Sequence, residues 1–551
     1  MLTFERLPSP PGRLAALSLA FGLALAACQP DSEAPAVEAV EADVAACQPD
    51  SEAPAVEAVE ADVDAYQAID WYEGTVEEAF AEAERSAKPL FLYWGAVWCP
   101  PCNLMKSTLF QQPEFIATTR DFVAVYLDGD TQRAQVWGEK HDAVGYPTVI
   151  VFDSQGKQLT RLPGTLTAES FMAALDDARS DLAPVTELVQ VALNSDRALT
   201  DAEYRRLAYH SWYQDKRTLA PEQYLALFER LAGQAPQDDP VLARRVHSLR
   251  LSEAASSGDA AMGADRYSEL MFVLGAEEHD LDNLMMFSGR LAGVFDALAA
   301  DSAQQEELRQ AFGSAIETLL ASPTGNKSAP IFSLGMLLEL ERLNNADAPP
   351  SPQLLERIVA AARQADMAAE SQQERQSLIY YTYGLLSNAG EYERARILLE
   401  KELELSEEPY YFMYPLATLS HKAGDIEGAV RWMERYYRES YGPATRLQHG
   451  VNYVRRMMEW MPEDAETILS VSQEVLAEMH GQPDALANRN LRSFGWLVDA
   501  LETWRAEHHS GLSLAALDGG IATICAEHAA EDSIGACVAM QQRLSDSTPG
   551  M

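Results

Sequence analysis

Pro89-Leu90-Phe91-Leu92-Tyr93-Trp94, followed after Gly95-Ala96-Val97 by Trp98-Cys99-Pro100-Pro101-Cys102, decides how this chain is read. The apolar run reads as a buried strand, and the two cysteines open the helix that follows it. Cysteines two residues apart can close a small disulfide ring. A helix N-terminus stabilises the thiolate of the first, which makes Cys99 the attacking sulfur and Cys102 the resolving one. That is the chemistry of thiol–disulfide exchange. The same spacing serves as half of a zinc site, but zinc needs four ligands and no second pair follows nearby, so no metal is expected.

A second signal lies 45 residues past Cys102. Gly145-Tyr146-Pro147-Thr148-Val149-Ile150-Val151-Phe152 reads as a turn entering a buried strand, which ends at the hairpin signal Asp153-Ser154-Gln155-Gly156-Lys157. A proline at such a place cannot donate to the ladder, so it belongs to the strand's first residue or to a special turn. With these two motifs on the page, residues 67–182 resemble a thioredoxin domain, an α/β fold with a central mixed sheet flanked by helices. The likeness is to extracytoplasmic members such as the C-terminal domain of DsbD-type reductases and the TlpA-type reductases. Lys88-Pro89, Phe110, Asp128 and Gly164 fall where such domains carry similar residues. The resemblance implies a cis Pro147 packed beside Cys99, with Trp98, Tyr146 and Pro147 shaping the surface that receives an extended client peptide.

One departure from that family bears on the chemistry. Thioredoxins bury an aspartate six residues before the first cysteine to relay a proton to the resolving thiol. Tyr93 stands there, and Ala124 stands at the companion lysine position. A tyrosine, with an ordinary pKa of about 10, is a poor base near neutrality. Another carboxylate or water must move the proton, or resolution by Cys102 is slow. Pro100 and Pro101 remove N–H donors from around the Cys99 sulfur and suit a helix's first turn, where those donors have no partner.

The N-terminus reads as an export signal. Arg6 and Arg13 precede an apolar core over residues 14–27, too short to span a bilayer, and Leu25-Ala26-Ala27-Cys28 ends it. That ending resembles the lipobox of bacterial lipoproteins, which implies removal of residues 1–27 and lipidation of Cys28. An ordinary signal peptide or a non-lipidated anchor remains the alternative. Gln29 favours the outer membrane by the same resemblance. The expected location is the cell envelope, on the periplasmic face of a membrane. Residues 26–44 are repeated without change as residues 45–63, so Cys47 is a passive copy of Cys28. Rich in Ala, Glu, Pro and Val, residues 28–66 cannot bury a core and read as an acidic tether.

A net charge of −42 over 551 residues argues against nucleic acid as a partner. Of six cysteines, Cys525 and Cys537 remain. On one continuous helix they would lie ~18 Å apart, too far to bridge, but a break near Asp532-Ser533-Ile534-Gly535 brings them together. A structural disulfide is the favoured expectation in an oxidising compartment.

From residue 183 to 551 apolar residues recur at helical spacing and strand-like runs vanish. Asn388-Ala389-Gly390-Glu391-Tyr392-Glu393-Arg394-Ala395 aligns with Lys422-Ala423-Gly424-Asp425-Ile426-Glu427-Gly428-Ala429 at an offset of 34 residues. This resembles the tetratricopeptide repeat, around residues 376–440, in which Gly and Ala let paired helices pack closely. Two roles stay open for the region: a concave surface for a client, or helical bulk that positions or shields the redox domain. Pro409-Tyr410-Tyr411-Phe412-Met413-Tyr414-Pro415 is either a recognition patch or a packed helix. His210, His508 and His509 have no companion at metal-ligand spacing and read as core or surface residues.

The sequence thus points to an extracytoplasmic thiol–disulfide oxidoreductase, reductase or isomerase rather than oxidase. It would need no metal or organic cofactor, would act on protein thiol or disulfide clients, and would depend on a redox partner protein. The rival is an envelope scaffold that binds a partner through its helices, with a non-catalytic thioredoxin fold.

Overall fold

The computed structural model describes residues 68–179, 183–236, 238–257, 264–276, 281–298, 301–322, 326–509, 512–529 and 533–545. The leader, Cys28, Cys47 and the tandem repeat lie outside the described residues.

The α/β part runs α1 (Val76–Ser86), β1 (Leu90–Gly95), α2 (Pro100–Ser107), α3 (Pro113–Thr119), β2 (Val123–Asp128), α4 (Gln132–His141), β3 (Thr148–Phe152), β4 (Gln158–Leu162) and α5 (Ala168–Ala178). The sheet order is β2-β1-β3-β4. β1 and β2 are parallel, from Leu90 opposite Val123 to Gly95 opposite Asp128, so the chain must cross over between them, through α2 and α3. β3 pairs antiparallel with both β1 and β4.

β1 is buried along its whole length, and its period of two divides the core. Phe91 and Tyr93 face Phe110, Phe115, Phe171 and Leu175. Leu90, Leu92 and Trp94 face Val76, Ala79 and Ala83 of α1 and Ala134 and Trp137 of α4. Helix ends are set locally. Thr75 and Glu78 form a capping box at the start of α1. Ala87 turns left-handed at φ 53° to end that helix just before Lys88-Pro89.

From Val185 to Ser545 every regular element is helical among the described residues. The first of these helices are not a separate body. Val185, Leu188, Leu207, Trp212, Phe228 and Val246 share one hydrophobic cluster with Phe91, Phe110 and Phe171. The segment after the Asp201–Ala208 helix also covers the free edge of the sheet. Ser211 N–H donates to Arg161 O at 2.8 Å, and Arg161 N–H donates to His210 Nδ1 at 3.2 Å. An edge strand closed in this way offers no template for another chain. His210 is therefore a core residue, its ring 3.3 Å from the Asp215 carboxylate.

The aligned pair of segments forms two consecutive helix–turn–helix units, Gln372–Asn388 with Tyr392–Leu405 and Tyr410–Lys422 with Ile426–Arg438. Here the physical reason differs from the sequence expectation. Gly390 and Gly424 have φ 86° and 80° with open space where a Cβ would stand, so they are left-handed helix ends rather than close-packing residues. Close packing falls to Ala395 and Ala429, both fully buried.

Cys525 and Cys537 form a disulfide with Cα atoms 5.7 Å apart, joining the Ala515–Glu527 and Ile534–Ser545 helices. Closing a loop of about a dozen residues is worth about 3 kcal/mol in the chain-entropy account. The double substitution Cys525→Ala, Cys537→Ala is expected to speed amide exchange in these two helices by about a hundredfold while leaving α1–α5 unchanged. Unchanged exchange at the C-terminus would show that packing alone holds the pair.

Candidate active site

Cys99 is the N-cap residue of α2, with extended backbone at φ −87° and ψ 112°. Pro100 and Pro101 occupy the first turn, where a missing N–H costs no intrahelical bond. The Cys102 N–H donates to Cys99 Sγ at 3.3 Å, and the two residues are disulfide-bonded with Cα atoms 5.2 Å apart. The pair, with Ala96, packs under the rings of Trp98 and Tyr146.

The Tyr146–Pro147 peptide bond is cis. Two contacts seat this loop from within the α/β part: Thr148 Oγ1 donates to Gly145 O at 2.7 Å, and the Tyr146 hydroxyl donates to Gly129 O at 3.3 Å. Gly164, in the connection from β4 to α5, touches the other side. A Cβ there would stand 2.2 Å from Pro147 Cγ and 3.1 Å from Met105 Sδ, so no side chain fits.

Tyr93 occupies the place of the family's buried carboxylate as part of an aromatic box. It stacks on Tyr126 at 5.5 Å and meets Phe110 edge-on at 5.0 Å, with Trp71 at 6.1 Å. Ala124 is buried and bridges to Trp71. Ionisable groups near this box come from other positions. Lys106 of α2 is 7% exposed with Nζ 5.5 Å from the Tyr126 ring centre. Asp128 closes β2, and burial pushes its carboxyl up against the opposing pull of its hydrogen bond from the Asp130 N–H and of Lys106.

The helical region closes over this site from several directions and, apart from Tyr411, through residues that sequence reading did not single out. Asn103 Nδ2 of α2 donates to Val97 O at 2.7 Å and to Gln376 Oε1 at 2.5 Å. Tyr411 stacks on Trp98 at 6.3 Å, and Tyr380 lies 5.1 Å beyond it. Trp98 Nε1 donates to Asp130 at 3.0 Å, and the same carboxylate accepts from the Thr445 N–H at 2.8 Å and its hydroxyl at 2.6 Å. Gln214 Nε2 donates to Pro147 O at 3.1 Å. Asn488 N–H donates to Glu139 at 2.9 Å. Cys99 is 2% exposed and Cys102 fully buried, while Val97 at the start of the loop is 37% exposed. The aromatic segment from Pro409 to Pro415 includes the start of the Tyr410–Lys422 helix and is packed within the chain. Tyr410, Phe412 and Met413 are packed in the core, and Tyr411 reaches the redox loop. Among the described residues no group of three His, Cys, Asp or Glu is placed to hold a metal ion.

Residues 76–179 match the thioredoxin-like domain family. Over 105 residues the chain is 33% identical to the thiol:disulfide interchange protein DsbD of Ralstonia nicotianae, covering 18% of this chain and 17% of that one. It is 28% identical over 101 residues to DsbD of Vibrio vulnificus, again 17% of the relative's length. Thioredoxin Y2 of Arabidopsis thaliana chloroplasts is 30% identical over 95 residues, 54% of its length. This is a thioredoxin-like α/β domain with a mixed four-stranded sheet, followed by a long all-helical region. Its Cys99–Cys102 pair is consistent with thiol–disulfide exchange.

Gly164→Ala is expected to lower stability by about 1–3 kcal/mol and to disturb the Pro147 loop, since the proline ring cannot yield as a flexible chain would. Thermal melting and the rate of Cys99–Cys102 reduction by dithiothreitol read both effects. An unchanged variant would mean that the loop has slack. Glu408 supplies a pH test. Burial, and then the neighbouring Glu407, Asp130 and Asp128, push its carboxyl up from 4.5 to about 7 against the pull of Tyr410. The folded chain therefore keeps a proton that the unfolded chain releases, and stability at this site falls as pH rises through that window. Glu408→Gln is expected to flatten that slope in denaturant titrations between pH 4.5 and 8. A slope equal to wild type would exclude Glu408 as its source.

Proposed function

We propose that this protein is an extracytoplasmic thiol–disulfide oxidoreductase, acting as a reductase or isomerase on exported proteins. The observation that carries the reading is the Cys99–Cys102 disulfide at the N-terminus of α2, beside the cis Pro147 loop of a thioredoxin-like domain. In the reduced pair Cys99 is the thiolate and Cys102 the thiol. Cys99 Sγ attacks one sulfur of a client disulfide, forming a mixed disulfide and releasing the client's other sulfur as a thiolate. Cys102 passes its proton to that thiolate, and its own sulfur attacks Cys99 Sγ. The second client sulfur leaves as a thiolate, the pair is oxidised to the disulfide, and two electrons have passed to the client. A dithiol donor protein must then reduce the pair again. Trp98, Tyr146 and Pro147 frame the surface where the client strand lies.

The export signal and the Leu25-Ala26-Ala27-Cys28 ending support a lipidated Cys28 that holds the chain to the periplasmic face of a membrane, the outer membrane by the identity of Gln29. The acidic tether over residues 28–66 would let the folded part search for clients while anchored.

A second reading draws on one observation, the near-complete burial of Cys99 under the helical region. In it the chain is an envelope scaffold, its helices hold a partner, and the cysteine pair is an inert brace. Equilibration of the protein in glutathione buffers separates the two. A reversible couple near −270 mV is expected for a reductase that draws on an upstream donor, and one nearer −120 to −180 mV for an isomerase or oxidase. A pair that stays oxidised in every buffer would leave the scaffold. Cys102→Ser is expected to accumulate mixed disulfides through Cys99, visible on non-reducing gels and absent from the Cys99→Ser, Cys102→Ser double variant.

A further inference from the structure

The Asn488–His508 helix starts against the redox loop, and its second residue is held there by its backbone. Arg489 N–H donates to Gln135 Oε1 at 3.2 Å, and Asn488 Nδ2 donates to Ala143 O at 3.2 Å. The Arg489 side chain is thereby delivered beside the two rings that close over the cysteines. Its guanidinium carbon lies 5.1 Å from the Trp98 ring centre and 5.8 Å from that of Tyr146. Nη2 donates to Thr445 Oγ1 at 2.7 Å and lies 3.6 Å from Asp130. Nε and Nη1 are buried with no hydrogen-bond partner among the described residues, and the residue is 5% exposed.

A buried cation with unused donors keeps part of its cost even with Asp130 3.6 Å away, because the oxygens of that carboxylate are also engaged by Trp98 and Thr445. The Cys99–Cys102 disulfide is neutral, but the reduced pair places an anion at Cys99. The charge of Arg489 has something to gain from reduction that it lacks in the oxidised protein. We infer that Arg489, from the helical region, is a positioning residue for the redox pair: it holds Trp98 and Tyr146 over the cysteines, and its charge stabilises the Cys99 thiolate.

The groups around Arg489 carry both signs of charge. On the acidic side are Asp128 and Asp130 after β2, Glu139 on α4 and Glu408 ahead of the Tyr410–Lys422 helix. Three donors from Trp98 and Thr445 already engage Asp130, while burial raises the carboxyl of Asp128 and lifts that of Glu408 to about 7. On the basic side are Lys106 of α2, Arg446 and Arg492. His449 and Tyr436 also face Arg489. Burial, with Arg489 beside it, keeps His449 neutral, and burial keeps Tyr436 neutral. Cys99 also sits at the start of α2, whose dipole favours the thiolate independently and is unchanged by any substitution at Arg489.

The inference rests on the thiol–disulfide reading, and the test keeps the two apart. In the full-length protein, the rate of Cys99 alkylation by iodoacetamide is followed against pH by peptide mass spectrometry. Wild type is expected to titrate below the ordinary cysteine value of about 8.5. Arg489→Met is expected to raise that midpoint by about one unit, giving about tenfold less thiolate at pH below both midpoints. Its equilibrium with glutathione, read at pH above both midpoints, should shift about tenfold toward the disulfide, or about 30 mV more reducing. Arg489→Lys, which keeps the charge, is expected to stay near wild type. A wild-type midpoint at or above about 8.5 overturns the inference without any variant. So does a folded Arg489→Met with an unchanged profile, or an Arg489→Lys shifted as far as Arg489→Met. If wild type forms no reversible couple, the exchange reading itself fails.

Discussion

Asp130 is the carboxylate at which the two parts of the molecule are tied together. Its oxygens take the indole N–H of Trp98 from the redox loop and both the N–H and hydroxyl of Thr445 from the Pro443–Trp460 helix. Arg489, from the next long helix but one, lies 3.6 Å away. A carboxylate in such a place is tolerated only when its lone pairs are taken up by good donors, because the cost of removing it from water is large. The loop, the first turn of one helix and the first turn of another must therefore arrive together. Trp98 is fixed by the same event, and with it the roof over Cys99.

That arrangement changes what the thioredoxin-like domain offers to solvent. The first cysteine at a helix N-terminus and the cis-proline loop share one face of the α/β part. Here Gln376, Tyr411, Thr445, Asn488, Arg489 and Gln214 all reach that face or the loops beside it. The helices therefore contribute side chains to the surroundings of the pair. The interior beneath the pair is altered as well. The aromatic box of Trp71, Tyr93, Phe110 and Tyr126 fills the space under β1 by packing rather than with a charge pair, and the ionisable groups nearby, Lys106 and Asp128, come from α2 and the end of β2.

Much of the α/β part could be read from short stretches of chain. The apolar run from Leu90 to Trp94 is buried on both faces of the sheet, as its lack of polar alternation implies. The change to helical periodicity after residue 183 matches an all-helical region among the described residues. Readings that depended on a reason for one residue fared less well. Gly390 and Gly424 were legible as a repeat but serve left-handed turns, and a backbone angle has no signature beyond the glycine itself. His210 could not be assigned to core or surface, because the edge strand that buries it lies 49 residues earlier in the chain.

Chemistry carried by neighbouring residues is therefore local. A pair of cysteines at a helix start, prolines that suit its first turn and a strand of uniform hydrophobicity are all written within a dozen positions. The surroundings of that chemistry are not. Gln376, Thr445 and Arg489 meet Asn103 of α2, Asp130 after β2 and Gln135 of α4 across sequence separations of 273, 315 and 354 residues. No periodicity or spacing marks them, since a glutamine, a threonine or an arginine on a helix looks the same whether it faces water or another domain. Their partners are chosen by the packing of the helices as a whole, and so the accessibility and electrostatics of Cys99 exist only in the folded chain.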